Sequence, residues 1–143
     1  VYLTHSNYDH ISGLCHFTNA KIYMSRKEYE FLCSKENPHS VFLKDVISFL
    51  EKKLIQNRLI LVEDEYICGD IKCITVGGHT PGSMLGDCLF TGDAVFLLEN
   101  VEKKKPIGFC KEPLNAKRAL EICCRHEGAI LTGHDYRCTY GIL

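Results

Sequence analysis

Thr4-His5-Ser6-Asn7-Tyr8-Asp9-His10-Ile11-Ser12-Gly13 sets two imidazoles and a carboxylate close together near the start of the chain. His5, Asn7 and Asp9 are spaced by two, so an extended segment points all three the same way. His10 follows at once, where the chain can turn into a helix and bring its ring round from another side. Three later turns echo this stretch: Gly77-Gly78-His79-Thr80-Pro81-Gly82-Ser83, Phe90-Thr91-Gly92-Asp93-Ala94 and Thr132-Gly133-His134-Asp135. Each places one metal-competent side chain beside glycine. Taken singly, a histidine next to glycine is as readily a turn residue, and an aspartate after glycine a cap. Taken together, His5, Asp9, His10, His79, Asp93 and His134 form the pattern of a fold that draws ligands from several loops around one metal centre.

Working outward, Val1-Tyr2-Leu3 reads as the end of a buried strand feeding the His5 loop. Residues 11–17 make one or two helical turns, and residues 21–24 a short strand. Ser25 caps a helix and Glu28, three residues on, completes a capping box, with Tyr29, Leu32 and Cys33 on one face. Asn37-Pro38 breaks that helix. Phe42, Val46, Phe49, Leu50 and Leu54 repeat at helical spacing and predict a second helix over residues 40–56. Residues 58–62 form a strand, and residues 65–68 and 71–76 a hairpin turning at Gly69-Asp70. Cys88-Leu89-Phe90 enters Asp93 as a strand that residues 95–98 continue. Asn115 caps a helix carrying Ala119, Leu120 and Cys123, which Gly128 ends. Residues 129–131 are a last buried strand delivering His134. Strands and helices mix, with antiparallel hairpins in the middle, so the expectation is one compact α/β (α+β) domain over residues 1–143.

The composition agrees with a globular chain of that size. Of the 143 residues, 45% are hydrophobic and 24% charged, enough for one core. A formal charge of −1 predicts neither nucleic-acid steering nor attraction to a membrane surface. The one basic run, Lys103-Lys104-Lys105, sits between Glu102 and Pro106 and reads as a solvated loop. No apolar run approaches the ~20 residues that span a bilayer. Nine cysteines, an odd number without a Cys-x-x-Cys pair, lie mostly in apolar runs. They read as small hydrophobes in a reducing cytoplasm rather than as a disulfide framework.

The four motifs in this order resemble the metallo-β-lactamase superfamily. Its leading His-x-His-x-Asp-His corresponds to His5-Ser6-Asn7-Tyr8-Asp9-His10. Its Gly-His-Thr-Pro-Gly corresponds to residues 78–82, its Gly-Asp turn to Gly92-Asp93, and its late histidine to His134. Phe17-Thr18-Asn19, Arg26-Lys27-Glu28-Tyr29 and Gly133-His134-Asp135 look most like the N-acyl homoserine lactone lactonases within it. The resemblance implies an αββα sandwich. It also implies a first metal held by His5 and His79, a second held by Asp9, His10 and His134, and Asp93 bridging the two. Zn²⁺ suits these ligands, as one or two ions, with Mn²⁺ or Fe²⁺ allowed. A hydroxide between the metals would attack an ester, thioester or lactone, with Asp9 as the proton shuttle.

Three departures from the family pattern carry expectations of their own. Asn7 stands where a ligating histidine is expected, and a neutral amide is a poorer donor to Zn²⁺ than imidazole, so occupancy of the first site should be weak or absent. The strands that normally precede the histidine motif are missing, so the fold is expected to be incomplete at its N-terminus. Either a longer protein or a homo-oligomer would then cover the exposed apolar sheet face. The stretch from His79 to Asp93 is short, which predicts that His79 is displaced relative to Asp93. The lactonase tyrosine three residues after the bridging aspartate is here Phe96, which has no hydroxyl to donate. The partner expected is a small-molecule substrate, with no nucleic acid and no membrane. Two other functions compete: a phosphodiesterase or nuclease of the same fold, which would need a basic groove, and a degenerate non-catalytic metal-binding member.

Overall fold

The computed structural model describes residues 1–69, 71–86 and 90–136. Its elements in order are α1 (Tyr8–Ile11), a 3₁₀ turn (Ser12–His16), β1 (Ile22–Ser25), α2 (Arg26–Cys33), α3 (Lys44–Ile55), β2 (Leu59–Val62), β3 (Glu65–Cys68), β4 (Ile71–Thr75), β5 (Met84–Gly86), β6 (Phe90–Gly92), α4 (Leu98–Glu102), α5 (Pro113–Arg125) and β7 (Leu131–Thr132).

Two sheets form. In the smaller, β1 and β2 pair in parallel across the α2–α3 connection, as a parallel pair requires. The first residues lie beside β1, with Leu3 N–H donating to the Tyr23 carbonyl at 2.9 Å. The larger sheet has the order β3-β4-β5-β6-β7, antiparallel up to β6, with β7 parallel to β6.

Three clusters of buried side chains make the layers. Ile11, Leu32, Leu43, Val46 and Leu50 pack helices against Ile22, Met24 and Leu59 of the small sheet. Ala119, Leu120 and Cys123 of α5, with Leu98 of α4, cover Leu85 and Val95 of the other half. Val62, Cys73 and Met84 meet between the sheets, with Tyr2, Ile60 and Tyr66 partly buried around them. The arrangement is helices, sheet, sheet, helices. Ile71 and Phe90, on the face of the larger sheet that carries Cys73, are exposed. No helix among the described residues is long and apolar enough to cross a membrane.

Several local expectations are corrected. Ser25 caps α2, its Oγ accepting the Glu28 N–H at 3.1 Å, but the Glu28 side chain turns into the interior instead of closing a capping box. The buried face of α2 is therefore Glu28, Phe31 and Leu32, and Cys33 is exposed. The second helix begins at Lys44 rather than residue 40. The chain from Asn37 to Leu43 runs as successive tight turns, such as Phe42 N–H to the His39 carbonyl at 2.9 Å. Phe42 consequently leaves the apolar stripe and is 77% exposed.

After Gly92 the chain turns rather than extends, with Ala94 N–H returning to the Thr91 carbonyl at 3.1 Å. Residues 95–98 therefore do not continue β6. α5 starts at Pro113, whose missing N–H costs nothing in a first turn, and Asn115 lies inside it, donating to Glu112 Oε2 at 2.9 Å. The helix ends at Arg125, before Gly128. Asp70 of the hairpin turn and Cys88-Leu89 of the β6 expectation lie outside the described residues.

Candidate metal centre

His5 follows the segment pinned between β1 and β5, where Met84 N–H donates to the Thr4 carbonyl at 2.8 Å. Asn7 is still extended, with ψ of 150°, and α1 starts at Tyr8. Asp9 therefore sits on a helix rather than on an extended run, and His10 beside it swings toward the same centre.

His79 stands in the loop between β4 and β5. Gly78 there has φ of +100°, and a Cβ on it would meet Ala116 Cα at 2.8 Å, so only glycine lets this loop lie on α5. The Gly78 carbonyl accepts N–H groups from Lys111 and Glu112, each at 2.9 Å. Asp93 occupies the turn after β6. His134 follows β7 and is held by its N–H to the Phe96 carbonyl at 2.9 Å, while Asp135 accepts the Leu98 N–H at the start of α4 at 3.1 Å.

The two oxygens of Asp93 face different imidazole pairs. Its Oδ2 lies 3.4 Å from His5 Nε2 and 3.3 Å from His79 Nε2. Its Oδ1 lies 3.1 Å from His10 Nε2 and 3.0 Å from His134 Nε2. Asp9 Oδ2 closes the second group, 3.4 Å from His10 and 3.7 Å from His134. His79 is thus not displaced from Asp93, because β5 and β6 pair and carry the short connection back to it. His5, His79 and Asp93 are buried, whereas Asp9, His10 and His134 open to solvent.

These separations test whether a metal fits. Donors bound at 2.0–2.2 Å around a tetrahedral ion lie about 3.3 Å apart. The carboxylate–imidazole separations of 3.0–3.7 Å bracket that value, and the ligand atoms of His5, His10 and Asp93, like those of Asp9, His10 and His134, lie within 4.8 Å of one another. His5 Nε2 and Asp93 Oδ1 are moreover buried without a hydrogen-bond partner, a cost that a bound cation would remove. Imidazole and carboxylate donors together suit Zn²⁺.

The electrostatics are those of a shared carboxylate among imidazoles. Burial pushes Asp93 upward, but the neighbouring rings of His10 and His5 outweigh it and hold its carboxyl well below the usual carboxylate range. The Asp93 carboxylate in turn raises His10 above the ordinary imidazole value, with a smaller contribution from Asp9. His79 is lowered, chiefly by burial.

Asn7 does something specific here. His79 Nδ1 lies 2.9 Å from the Phe109 carbonyl, which can only accept, so Nδ1 carries the proton and Nε2 presents its lone pair. The Asn7 amide lies 2.8 Å from that Nε2 and donates to it. The amide at the family's histidine position therefore occupies the lone pair that a metal would need. Phe96 packs edge-on against His79 and His134, with ring centroids 5.5 and 5.3 Å away.

Some contributors carried no usable signal in the sequence. The Phe109 carbonyl is backbone and has none. Glu28 resembled a helix cap. Phe31, His39, Phe109 and Lys111 line a cavity of about 220 Å³ that opens beside Asn7 and His79.

Comparison with known proteins identifies relatives of the chain and of its fold. The chain is 28% identical over 144 residues to the N-acyl homoserine lactonase AiiA of Bacillus thuringiensis subsp. kurstaki, an alignment covering 92% of this chain and 54% of the relative. It is 33% identical over 107 residues to the probable polyketide biosynthesis zinc-dependent hydrolase PksB of Bacillus subtilis (strain 168), covering 67% of this chain and 38% of that protein. A solved structure of an N-acyl homoserine lactone hydrolase, with the product N-hexanoyl-L-homoserine at its catalytic metal centre, superposes with a TM-score of 0.72 at 26% identity. That superposition covers 94% of this chain and 55% of the other. The chain thus spans about half the length of such relatives. Residues 1–122 match the metallo-beta-lactamase superfamily as a family, and with its fold this chain belongs to that superfamily.

Proposed function

We propose that the chain carries the centre of a zinc-dependent hydrolase that cleaves a small ester, thioester or lactone. One observation carries the reading: each oxygen of Asp93 faces its own pair of imidazole nitrogens at 3.0–3.4 Å. On this reading His5 and His79 hold one side, Asp9, His10 and His134 hold the other, and Asp93 is shared. Zn²⁺ bound there supplies a water acidified toward neutral pH and a Lewis acid for the substrate carbonyl.

The protein's own groups do the rest. Asp9, 59% exposed at the open edge, can accept a proton there and pass it to the departing alcohol or thiol. The cavity beside His79 has Phe31, Pro38 and Phe109 in its wall and suits an apolar acyl portion. Phe96 packs against the His79 and His134 rings and offers no hydroxyl to the carbonyl. The lactonase and zinc-dependent hydrolase relatives support hydrolysis of this class. The free cysteines among the described residues support a cytoplasmic home.

A second reading, a non-catalytic member holding a single metal, is favoured by the Asn7 hydrogen bond on His79. A panel of carboxylic ester, thioester, lactone and phosphodiester reporters separates the readings. Hydrolysis of a carboxylic ester, thioester or lactone reporter that is lost on chelation and restored by Zn²⁺ or Mn²⁺ supports the hydrolase. Activity indifferent to chelators rules it out, and zinc binding without turnover of any reporter favours the second reading.

A further inference from the structure

Glu28 is 1% exposed, in the first turn of α2, and hydrogen bonds engage both oxygens of its carboxylate. Its Oε1 accepts the Ser6 N–H at 2.8 Å and the Ser6 hydroxyl at 2.6 Å. Its Oε2 accepts the Thr80 hydroxyl at 2.6 Å and the Gly82 N–H at 3.1 Å. Ser6 directly follows His5 and Thr80 directly follows His79. One buried carboxylate thus ties together the two loops that carry the buried imidazoles.

The fit around it is close. A Cβ on Gly82 would lie 2.1 Å from Glu28 N, so the His79 loop presses directly on α2. Thr80 gives its own hydroxyl proton to Glu28 and accepts from Ser83 Oγ at 2.7 Å, while Ser83 Oγ accepts the Thr80 N–H at 3.0 Å. A carboxylate has about four acceptor positions, and these four donors fill them. All four are neutral dipoles, and burying a charge is costly unless such partners are complete.

We infer that Glu28 is a positioning residue that sets the distance between His5 and His79, and so tunes metal affinity without touching the metal. This rests on the metal centre proposed above. Glu28→Gln keeps the size but turns one oxygen into an NH₂ group. The Ser6 and Thr80 hydroxyls can reorient, but one backbone N–H, of Ser6 or of Gly82, must then face another N–H. One loop is released whichever way the amide points.

The test titrates the full chain with Zn²⁺ against a chromophoric chelator and records the visible spectrum of the Co²⁺-loaded protein. Glu28→Gln should weaken Zn²⁺ binding by about 10- to 100-fold, the range for partners that orient metal ligands, and shift the Co²⁺ bands. Thr80→Val, which removes one donor, should weaken it less and in the same direction. Ser25→Ala removes the acceptor of the Glu28 N–H but leaves all four donors on its carboxylate, so it should lower the melting temperature and leave Zn²⁺ affinity unchanged.

Glu28→Gln folding and binding Zn²⁺ as the parent does overturns the inference. So does an unfolded Glu28→Gln paired with a Thr80→Val of parental affinity, or a Ser25→Ala that loses as much affinity as Glu28→Gln. A parent that holds no Zn²⁺ overturns the metal centre itself and this inference with it.

Discussion

Replacing Asn7 by alanine should tighten, not weaken, zinc binding on the His5–His79 side. In the free protein the Asn7 amide donates to His79 Nε2 across 2.8 Å, and the Phe109 carbonyl fixes the tautomer that makes this nitrogen an acceptor. A metal arriving at His79 must break that hydrogen bond. A net hydrogen bond is worth about 0.5–1.5 kcal/mol, so its removal should raise affinity roughly 2- to 13-fold. Competition against a chromophoric chelator, followed through the second equivalent of Zn²⁺, measures the change. Asn7→His should go further, because it removes the competing donor and adds a third imidazole on that side. Weaker binding in Asn7→Ala would refute the reasoning, since it would make the amide oxygen a ligand rather than a competitor. Unchanged binding in both variants would place His79 outside the metal centre.

Other expectations follow from the same geometry. Asp93→Asn puts an NH₂ group against one of the two imidazole pairs, and atomic emission after dialysis should find less zinc retained than in the parent; equal retention would deny Asp93 its shared role. In the metal-free chain, NMR titration should show His10 losing its proton above the ordinary value of about 6.5 and His79 below it. The signs oppose each other: the stabilisation from charged His10 is present below its unfolded pKa and fades as pH rises through the raised value, whereas that from neutral His79 fades as pH falls. Zinc must displace the His10 proton, so its affinity should drop as the solution is acidified. For the fold, Leu50→Ala at a fully buried position of α3 should cost about 2–5 kcal/mol in urea unfolding. Phe42→Ser should stay within about 0.5 kcal/mol, and a loss near that of Leu50 would return Phe42 to the core.

Part of the centre was legible because His79, Asp93 and His134 each sit in a turn marked by glycine. His79, Asp93 and His134 follow strands, and glycine marks such turns without reference to anything distant in the chain. Distance was harder to read. The short run between His79 and Asp93 suggested separation, yet the β5–β6 pairing closes it to 3.3 Å. Periodicity also misled at Phe42, since apolar spacing is blind to the succession of turns that begins at Asn37 and delays the helix to Lys44. Asn115 has the chemistry of a cap, but Pro113 suits the first turn better and starts the helix earlier. Glu28 is the plainest case. Its spacing from Ser25 is that of a local cap, and only the long-range approach of residues 6, 80 and 82 gives its carboxylate better partners. The Phe109 carbonyl that sets the His79 tautomer belongs to the backbone, which residue identity does not report.

The most direct test of the whole account is anomalous scattering at the zinc edge from crystals of the chain grown with Zn²⁺. The account predicts a peak between Asp93, His10 and His134, with donor distances of about 2.0–2.2 Å, and a weaker one between His5 and His79 that strengthens in Asn7→His. Zinc found only elsewhere, or no ordered zinc beside Asp93, would contradict it.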